Sequence, residues 1–113
     1  MELLQMSEVL QRVENLEQRI NQRSVIVPIQ DLEPSQVKIK QPIFAVVQED
    51  DGVFVASFVD ANMNASGETQ LDAVEMLKDV IAASFQLFLN KESILGVEPK
   101  RQLAVLRCFV EMR

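Results

Sequence analysis

The sequence predicts an α+β fold in which a small antiparallel sheet packs on one main helix. An N-terminal coiled-coil-type helix and a short C-terminal helix complete the prediction. Three observations support it: a helical apolar pattern at the start of the chain, two apolar runs joined by an Asp-Gly turn, and a second helical pattern after residue 69. With 113 residues, 48% of them apolar, the chain can bury the core of one compact domain and carry an appendage.

Residues 1–24 form the first predicted segment, an oligomerisation helix. Five of its apolar residues step by three, four, three and four, which is a heptad seam with β-branched residues at one of its two positions. Such a seam favours a two-stranded parallel coil. The seam is short, about two and a half heptads, so packing of the same face on the chain's own domain stays open as an alternative. The seam residues are Met6, Val9, Val13, Leu16 and Ile20.

Residues 25–42 are predicted to be a proline-containing connector with extended segments. Prolines at this density exclude a helix and limit sheet pairing. Val25–Ile29 suits an extended piece, and residues 37–40 alternate like an edge strand whose lysines discourage unwanted pairing.

Residues 43–113 are predicted to form the α+β domain, which opens with a hairpin. Apolar runs at 43–48 and 53–59 flank an acidic turn that ends in Asp51-Gly52, and glycine accepts the positive φ that such a turn needs. The second run is apolar on both faces, so both faces of the sheet require a cover. We expect the domain's own helix on one face and the N-terminal helix or a second chain on the other, with Val53 and Val55 in the self-association surface.

The remaining elements follow in order. Residues 60–68 read as a polar loop, part of which suits a short strand, and Thr69 is placed to cap a helix over 70–89. Pro99 suits the first turn of a final helix, whose apolar stripe is predicted to run through Leu103, Leu106 and Val110. Residues 99–113 are expected to hold one helix at most.

The charge distribution predicts a basic protein partner. The net charge is −6, but residues 25–98 alone hold twelve acids and four bases, a net −8. Such a body attracts a basic protein and repels nucleic acid, although four bases among residues 99–113 leave contact between that helix and DNA open. The acids predicted to bind the partner are Asp50, Asp51 and Asp60.

Catalytic chemistry is not predicted. The chain has no His, Tyr or Trp, and its single cysteine, Cys108, has no imidazole base and lies in an apolar helical pattern. A magnesium site built from Asp50, Asp51, Asp60, Glu68 and Asp72 is the enzymatic alternative, but turn and helix-start positions account for most of these acids. We therefore expect no catalytic residues, metal or cofactor. The absence of a signal-peptide pattern and of a long apolar run, together with the lone cysteine, predicts a cytoplasmic protein without membrane contact.

One stretch, residues 44–82, resembles the HicB-like antitoxin family. The resemblance rests on Val46–Gly52, on Val55-Ala56-Ser57, on Ala65–Thr69, and on the later residues Ala73, Leu77, Lys78 and Ile81. The leading helix and the tail at 101–106 are similar to a HicB-related offshoot seen in cyanobacteria.

This resemblance implies a partial ribonuclease-H-like fold without catalysis, homodimers or tetramers, and a small basic ribonuclease toxin as partner. The chain departs from the family at residues 58–64, which lack the usual Pro-x-Leu-Pro-Gly-Cys stretch, and it has no second C-terminal helix for a DNA-binding module. A stand-alone structural or regulatory oligomer without a toxin is therefore the second functional hypothesis, and a divalent-metal nuclease is the third.

Overall fold

The computed structural model describes residues 24–113, and the predicted N-terminal helix with its seam residues Met6, Val9, Val13, Leu16 and Ile20 lies outside the described residues. The described part is α+β, as the sequence predicts. Its strands are β1 Ser24–Ile29, β2 Val37–Ile39, β3 Ile43–Asp50, β4 Val53–Phe58, β5 Met63–Gly67 and β6 Val110–Met112, and its α-helices are α1 Gln70–Asn90 and α2 Val97–Phe109.

Four antiparallel strands form the main sheet in the order β1-β3-β4-β5. The segment 25–42, predicted to be a connector with extended pieces, supplies edge strand β1 and the short strand β2. This segment is therefore an integral part of the folded unit.

The hairpin between β3 and β4 has the predicted turn. Asp51 and Gly52 connect the strands as a two-residue loop with φ of 51° and 80°, so both residues lie in the left-handed region. Two-residue loops of this kind match the right-handed twist of the strands that they join. Strand β3 extends to Asp50, two residues beyond the predicted apolar run, because the turn itself needs only two residues.

Helix α1 begins where the sequence predicts. The Thr69 hydroxyl accepts a hydrogen bond of 3.0 Å from the Asp72 N–H, which satisfies one of the unpaired donors of the first turn. The helix then runs to Asn90 and lays its apolar stripe, including the fully buried Leu77 and Ile81, across the sheet. Part of the predicted loop at 60–68 forms β5.

Residues 99–113 contain one helix, as expected, but a strand follows it. Helix α2 ends at Phe109, and Val110, which was predicted to extend the helical stripe, begins strand β6 instead. Strand β6 pairs with β2 in a separate two-stranded ribbon. Leu103 and Leu106 are buried as predicted, and the Phe109 ring packs edge-on against Phe58 with ring centroids 5.1 Å apart.

The core lies between the main sheet and the two helices. Strand residues alternate between faces, so Ile43, Ala45 and Val47 of β3 and Ala56 and Phe58 of β4 point towards α1, and all five are buried. No helix within residues 24–113 is both long and apolar enough to cross a membrane.

Candidate functional site

The face of the main sheet that points away from the helices carries six apolar side chains among polar ones. Alternation and strand register place side chains from β1, β3 and β4 on this face in adjacent rows: Ile26 lies beside Val46, and Pro28 beside Phe44. On β4, Val53 pairs with Asp50 and Val55 pairs with Gln48. We call the apolar members of this face the outer patch; they are Ile26, Pro28, Phe44, Val46, Val53 and Val55.

The outer patch is distinct from the core. Val46, in the central strand β3, is only 5% exposed, whereas Val53 at the hairpin end is 43% exposed. Ile26, Phe44 and Val55 are half-buried. None of the outer-patch side chains belongs to the core formed by residues 24–113, because α1 and α2 both pack on the opposite face. No element within the described range therefore covers the outer patch.

The outer patch has a polar border on one side. Strand β5 contributes Asn64 and Ser66 to the same face, in line with Ser57 and Val55, and both are exposed. The apolar surface is thus confined to three of the four strands. Within those strands, Gln48, Asp50 and Ser57 also lie on this face, beside Val55, Val53 and Val46.

The two strand residues predicted to mediate self-association, Val53 and Val55, both lie in the outer patch. Sequence reasoning missed Ile26, Phe44 and Val46, which share the same face. Their alternation is visible in the sequence, but their common face depends on the pairing of β1 with β3.

The three acids predicted to bind a partner do not form one site. Asp50 and Asp51 are adjacent at the hairpin tip, where the turn fixes Asp51 in a left-handed conformation. Asp60 lies beyond the other end of β4, a six-residue strand that is about 20 Å long at about 3.3 Å per residue. Its backbone carbonyl accepts a hydrogen bond of 3.1 Å from the Arg101 guanidinium. Any partner that uses all three acids has to span the length of the hairpin.

The cations near the end of the chain are engaged in the fold. The Arg107 guanidinium donates two hydrogen bonds of 2.7 and 2.9 Å to the Glu92 carboxylate, and Arg101 makes a contact of 2.6 Å to Glu98. These hydrogen bonds lower the pKa of Glu92 and of Glu98 below the usual value of 4.5. Arg113 contacts Glu33 and the Ser35 carbonyl. All three arginines of residues 99–113 are therefore paired, which leaves less of their charge for DNA phosphates.

The carboxylates considered as metal ligands are dispersed. Across the described residues, no group of three or more Asp, Glu, His or Cys side chains is arranged to hold a metal ion. Cys108 is exposed near the end of α2, and its thiol lies 3.6 Å from the Ala104 carbonyl of the preceding turn. Its place in an apolar helical pattern predicts a buried packing residue, and the exposure of Cys108 shows that this prediction is wrong.

No family model matches this chain, and neither the curated proteins nor the solved structures give a match. The functional argument therefore depends on the outer patch, the charge distribution and the fold itself.

Proposed function

We propose that this chain is a non-enzymatic, self-associating protein-binding module of the HicB antitoxin type, which neutralises a small basic protein. The outer patch is the observation that carries the proposal. It places four adjacent apolar side chains of β1 and β3, with Val53 and Val55 of β4 near them, on a face that neither α1 nor α2 covers. Large exposed apolar patches with polar borders mark protein interaction sites.

The size of the outer patch indicates what else the interface needs. Complete burial of a Val, Ile or Phe side chain stabilises by about 1.5–3 kcal/mol, and several patch residues are already partly buried. Association costs about 4–15 kcal/mol in lost translational and rotational freedom. The outer patch alone is therefore marginal for a stable dimer. We infer that the heptad seam from Met6 to Ile20 supplies the rest of the apolar interface.

The resemblance to HicB antitoxins gives the proposal its partner class. Residues Val46–Gly52 and Ala65–Thr69 carry the resemblance, and they lie in the hairpin and at the junction of β5 with α1. The local net charge of −8 over residues 25–98 favours a basic partner. These two observations support an antitoxin-like role within a soluble compartment such as the cytoplasm.

The non-enzymatic part of the proposal rests on the side-chain chemistry. The chain contains no histidine, and its one thiol is exposed near a helix end. General acid–base or nucleophilic catalysis at neutral pH most often requires a positioned base. A magnesium- or manganese-dependent nuclease assay on the full chain is expected to give no cleavage.

A stand-alone structural or regulatory oligomer is the second candidate. Residues 59–61 form a short 3-10 turn where HicB-like proteins usually have Pro-x-Leu-Pro-Gly-Cys, and Arg101 and Gln102 of α2 hold its carbonyls. Affinity purification of the full chain from its native host discriminates between the candidates. A small basic protein released at high salt excludes the stand-alone oligomer, whereas recovery of this chain alone favours it.

The self-association is tested by light scattering coupled to size exclusion, with the full chain at micromolar concentration. We expect a mass of twice or four times 12.8 kDa for the unmodified chain. Val55→Asp places an unpaired charge on the β4 side of the outer patch and is expected to shift the mass towards the monomer, because burying an isolated charge is very costly.

Ser66→Asp is the matched control. Ser66 pairs with Val55 across β4 and β5, so the same charge appears one strand away on the polar border. This variant is expected to keep the oligomer, and far-UV circular dichroism establishes that both variants are folded. A monomeric unmodified chain, or equal behaviour of the two variants, contradicts the proposal.

A further inference from the structure

A groove of about 240 Å³ opens between edge strand β1 and helix α1. Pro28, Ile29 and Gln30 line one side, and Val74, Glu75 and Lys78 line the other. Asp31 lies at its end. The groove shares only Pro28 with the outer patch, and its Ile29 and Val74 point into the core between sheet and helix.

The strand side of the groove offers backbone groups for pairing. In the two-residue hairpin, Asp50 and Val53 form the hydrogen-bonded pair that closes the turn. Backbone groups alternate in direction along a strand, so the N–H and C=O groups of even-numbered β3 residues point to β4. Those of odd-numbered β3 residues point to β1. The odd-numbered residues of β1 then bond to β3, and Ile26 and Pro28 direct their backbone groups away from the sheet. Pro28 agrees with this assignment, since proline belongs on the open side of an edge strand.

The helix side of the groove is anionic at its mouth. The Lys78 amine lies 3.3 Å from Asp31 and 3.7 Å from Glu75. The Lys78 side chain is 15% exposed, whereas the Asp31 and Glu75 side chains are 59% and 56% exposed. One recessed cation therefore faces two accessible carboxylates, and the net charge of the cluster is −1.

We infer that the groove binds an extended segment of a basic protein, which adds a strand to β1 and places a lysine or arginine against the exposed carboxylates of Asp31 and Glu75. An open strand edge beside a helix is a recurring site for peptide docking, in which backbone hydrogen bonds give affinity and side-chain pockets give specificity. Because Pro28 has no N–H, the added strand can form backbone hydrogen bonds only with Ile26 and with the Pro28 carbonyl. This inference rests on the basic partner of the proposed function and gives that partner a docking site.

The test uses the isotope-labelled full chain and two pools of acetylated, amidated hexapeptides with alternating Val and Thr. The pools differ only in a central Lys or a central Glu. The Lys pool is expected to shift the amide signals of Ile26, Ile29, Gln30 and Lys78 and to bind at least about tenfold more tightly than the Glu pool. Its affinity is expected to fall when salt is raised, because the carboxylates are exposed.

The variant Asp31→Asn with Glu75→Gln is expected to weaken binding of the Lys pool at least about fivefold. The matched control, Glu49→Gln with Glu68→Gln, removes the same charge at two exposed positions outside the groove and is expected to bind like the unmodified chain. The inference is overturned by the absence of shifts up to millimolar peptide, by equal binding of the two pools, or by equal losses in the two variants.

The oligomeric mass of the same samples separates this inference from the proposed function. Neither double variant alters the outer patch, so both are expected to keep the mass of the unmodified chain. Loss of peptide binding with an intact oligomer overturns the groove alone. A monomer that still binds the Lys pool through Asp31 and Glu75 overturns self-association alone.

Discussion

Gly67 allows strand β5 to approach the start of helix α1 more closely than a residue with a Cβ atom could. A Cβ built on Gly67 would lie 2.6 Å from the Ala73 nitrogen and 2.8 Å from the Asp72 carbonyl carbon. These neighbours are backbone atoms of a capped helix, so they cannot rotate away. In the sequence, Gly67 belongs to the segment that resembles HicB-like proteins, and its local role here is steric.

Gly67→Ala is therefore expected to destabilise the fold by about 1–3 kcal/mol, the usual cost of overpacking a tight contact. Thermal unfolding followed by far-UV circular dichroism measures the change, since the chain has no Trp or Tyr for fluorescence. Gly96→Ala is the control, because a Cβ there meets nothing within 4 Å. In Gly96→Ala, the lower entropy of the unfolded chain stabilises the fold, whereas alanine is a poorer helix cap than glycine. Because these effects oppose each other, the free energy of unfolding is expected to change by no more than about 1 kcal/mol.

At the scale of elements, helix α2 carries two arginine–carboxylate pairs, Arg107 with Glu92 outside the helix and Arg101 with Glu98 within it. Arg107 joins α2 to the 3-10 turn Glu92–Ile94, and Arg101 joins its first turn to the carbonyl of Asp60. The exposed fractions of these side chains are near one half, so each pair stabilises only slightly. The contribution of these ion pairs to stability can nevertheless be measured, because it depends on pH.

The pKa values of Glu92 and Glu98 are lowered in the folded state, first by the hydrogen bonds from Arg107 and Arg101. The unfolded chain therefore takes up protons at these sites first as the pH falls. Their stabilisation is complete above the usual value of 4.5 and is lost as the pH decreases through the lowered folded-state values. The double variant Glu92→Gln, Glu98→Gln is expected to show a smaller fall in Tm between pH 6 and pH 3 than the unmodified chain.

Glu49→Gln with Glu68→Gln is the control for this pH dependence. Both residues are exposed, and neither forms an ion pair with any residue of the described range. This variant is expected to retain the full acid-induced fall in Tm. Equal flattening in both variants would mean that general charge, and not the two arginine pairs, determines the acid response.

At the scale of the whole molecule, the proposed self-association through the outer patch predicts that stability depends on concentration. A chain that buries this surface against a second copy is stabilised by mass action, so its Tm rises with protein concentration. We expect the Tm of the unmodified chain to increase by a measurable amount for each tenfold increase in concentration, in calorimetry or circular dichroism. The Tm of Val55→Asp is expected to be independent of concentration, and a constant Tm for the unmodified chain would contradict self-association.

The sequence predicts the local elements well. The Asp-Gly hairpin, the cap at Thr69 and the stripe of α1 all depend on residues close together in the chain, and each is found where expected. Strand β6 is missed because Val110 fits the helical spacing of α2, and only its pairing with Ile39, 71 positions earlier, makes it a strand. A pairing at that distance leaves no trace in a local pattern.

In the candidate site, too, local features are predictable from the sequence and long-range pairings are not. The place of Val53 and Val55 in an interaction surface is predictable, because a strand that is apolar on both faces needs a packing partner on each face. Ile26, Phe44 and Val46 join them only through the register of β1 on β3. The separation of Asp60 from the acids of the hairpin tip follows from the length of β4. A count of charges along the sequence contains no information on this distance.

The ribbon of β2 and β6 has a consequence for the order in which the protein assembles. Closing a loop of about 70 residues costs about 4 kcal/mol of chain entropy before any contact forms, whereas the hairpin turn costs far less. We therefore expect β3, β4, β5 and α1 to condense first, because their pairings are local. The ribbon then forms last, after the main sheet and α1 have packed. In native-state hydrogen exchange, the amides of the ribbon should therefore exchange faster than those of β3 and β4.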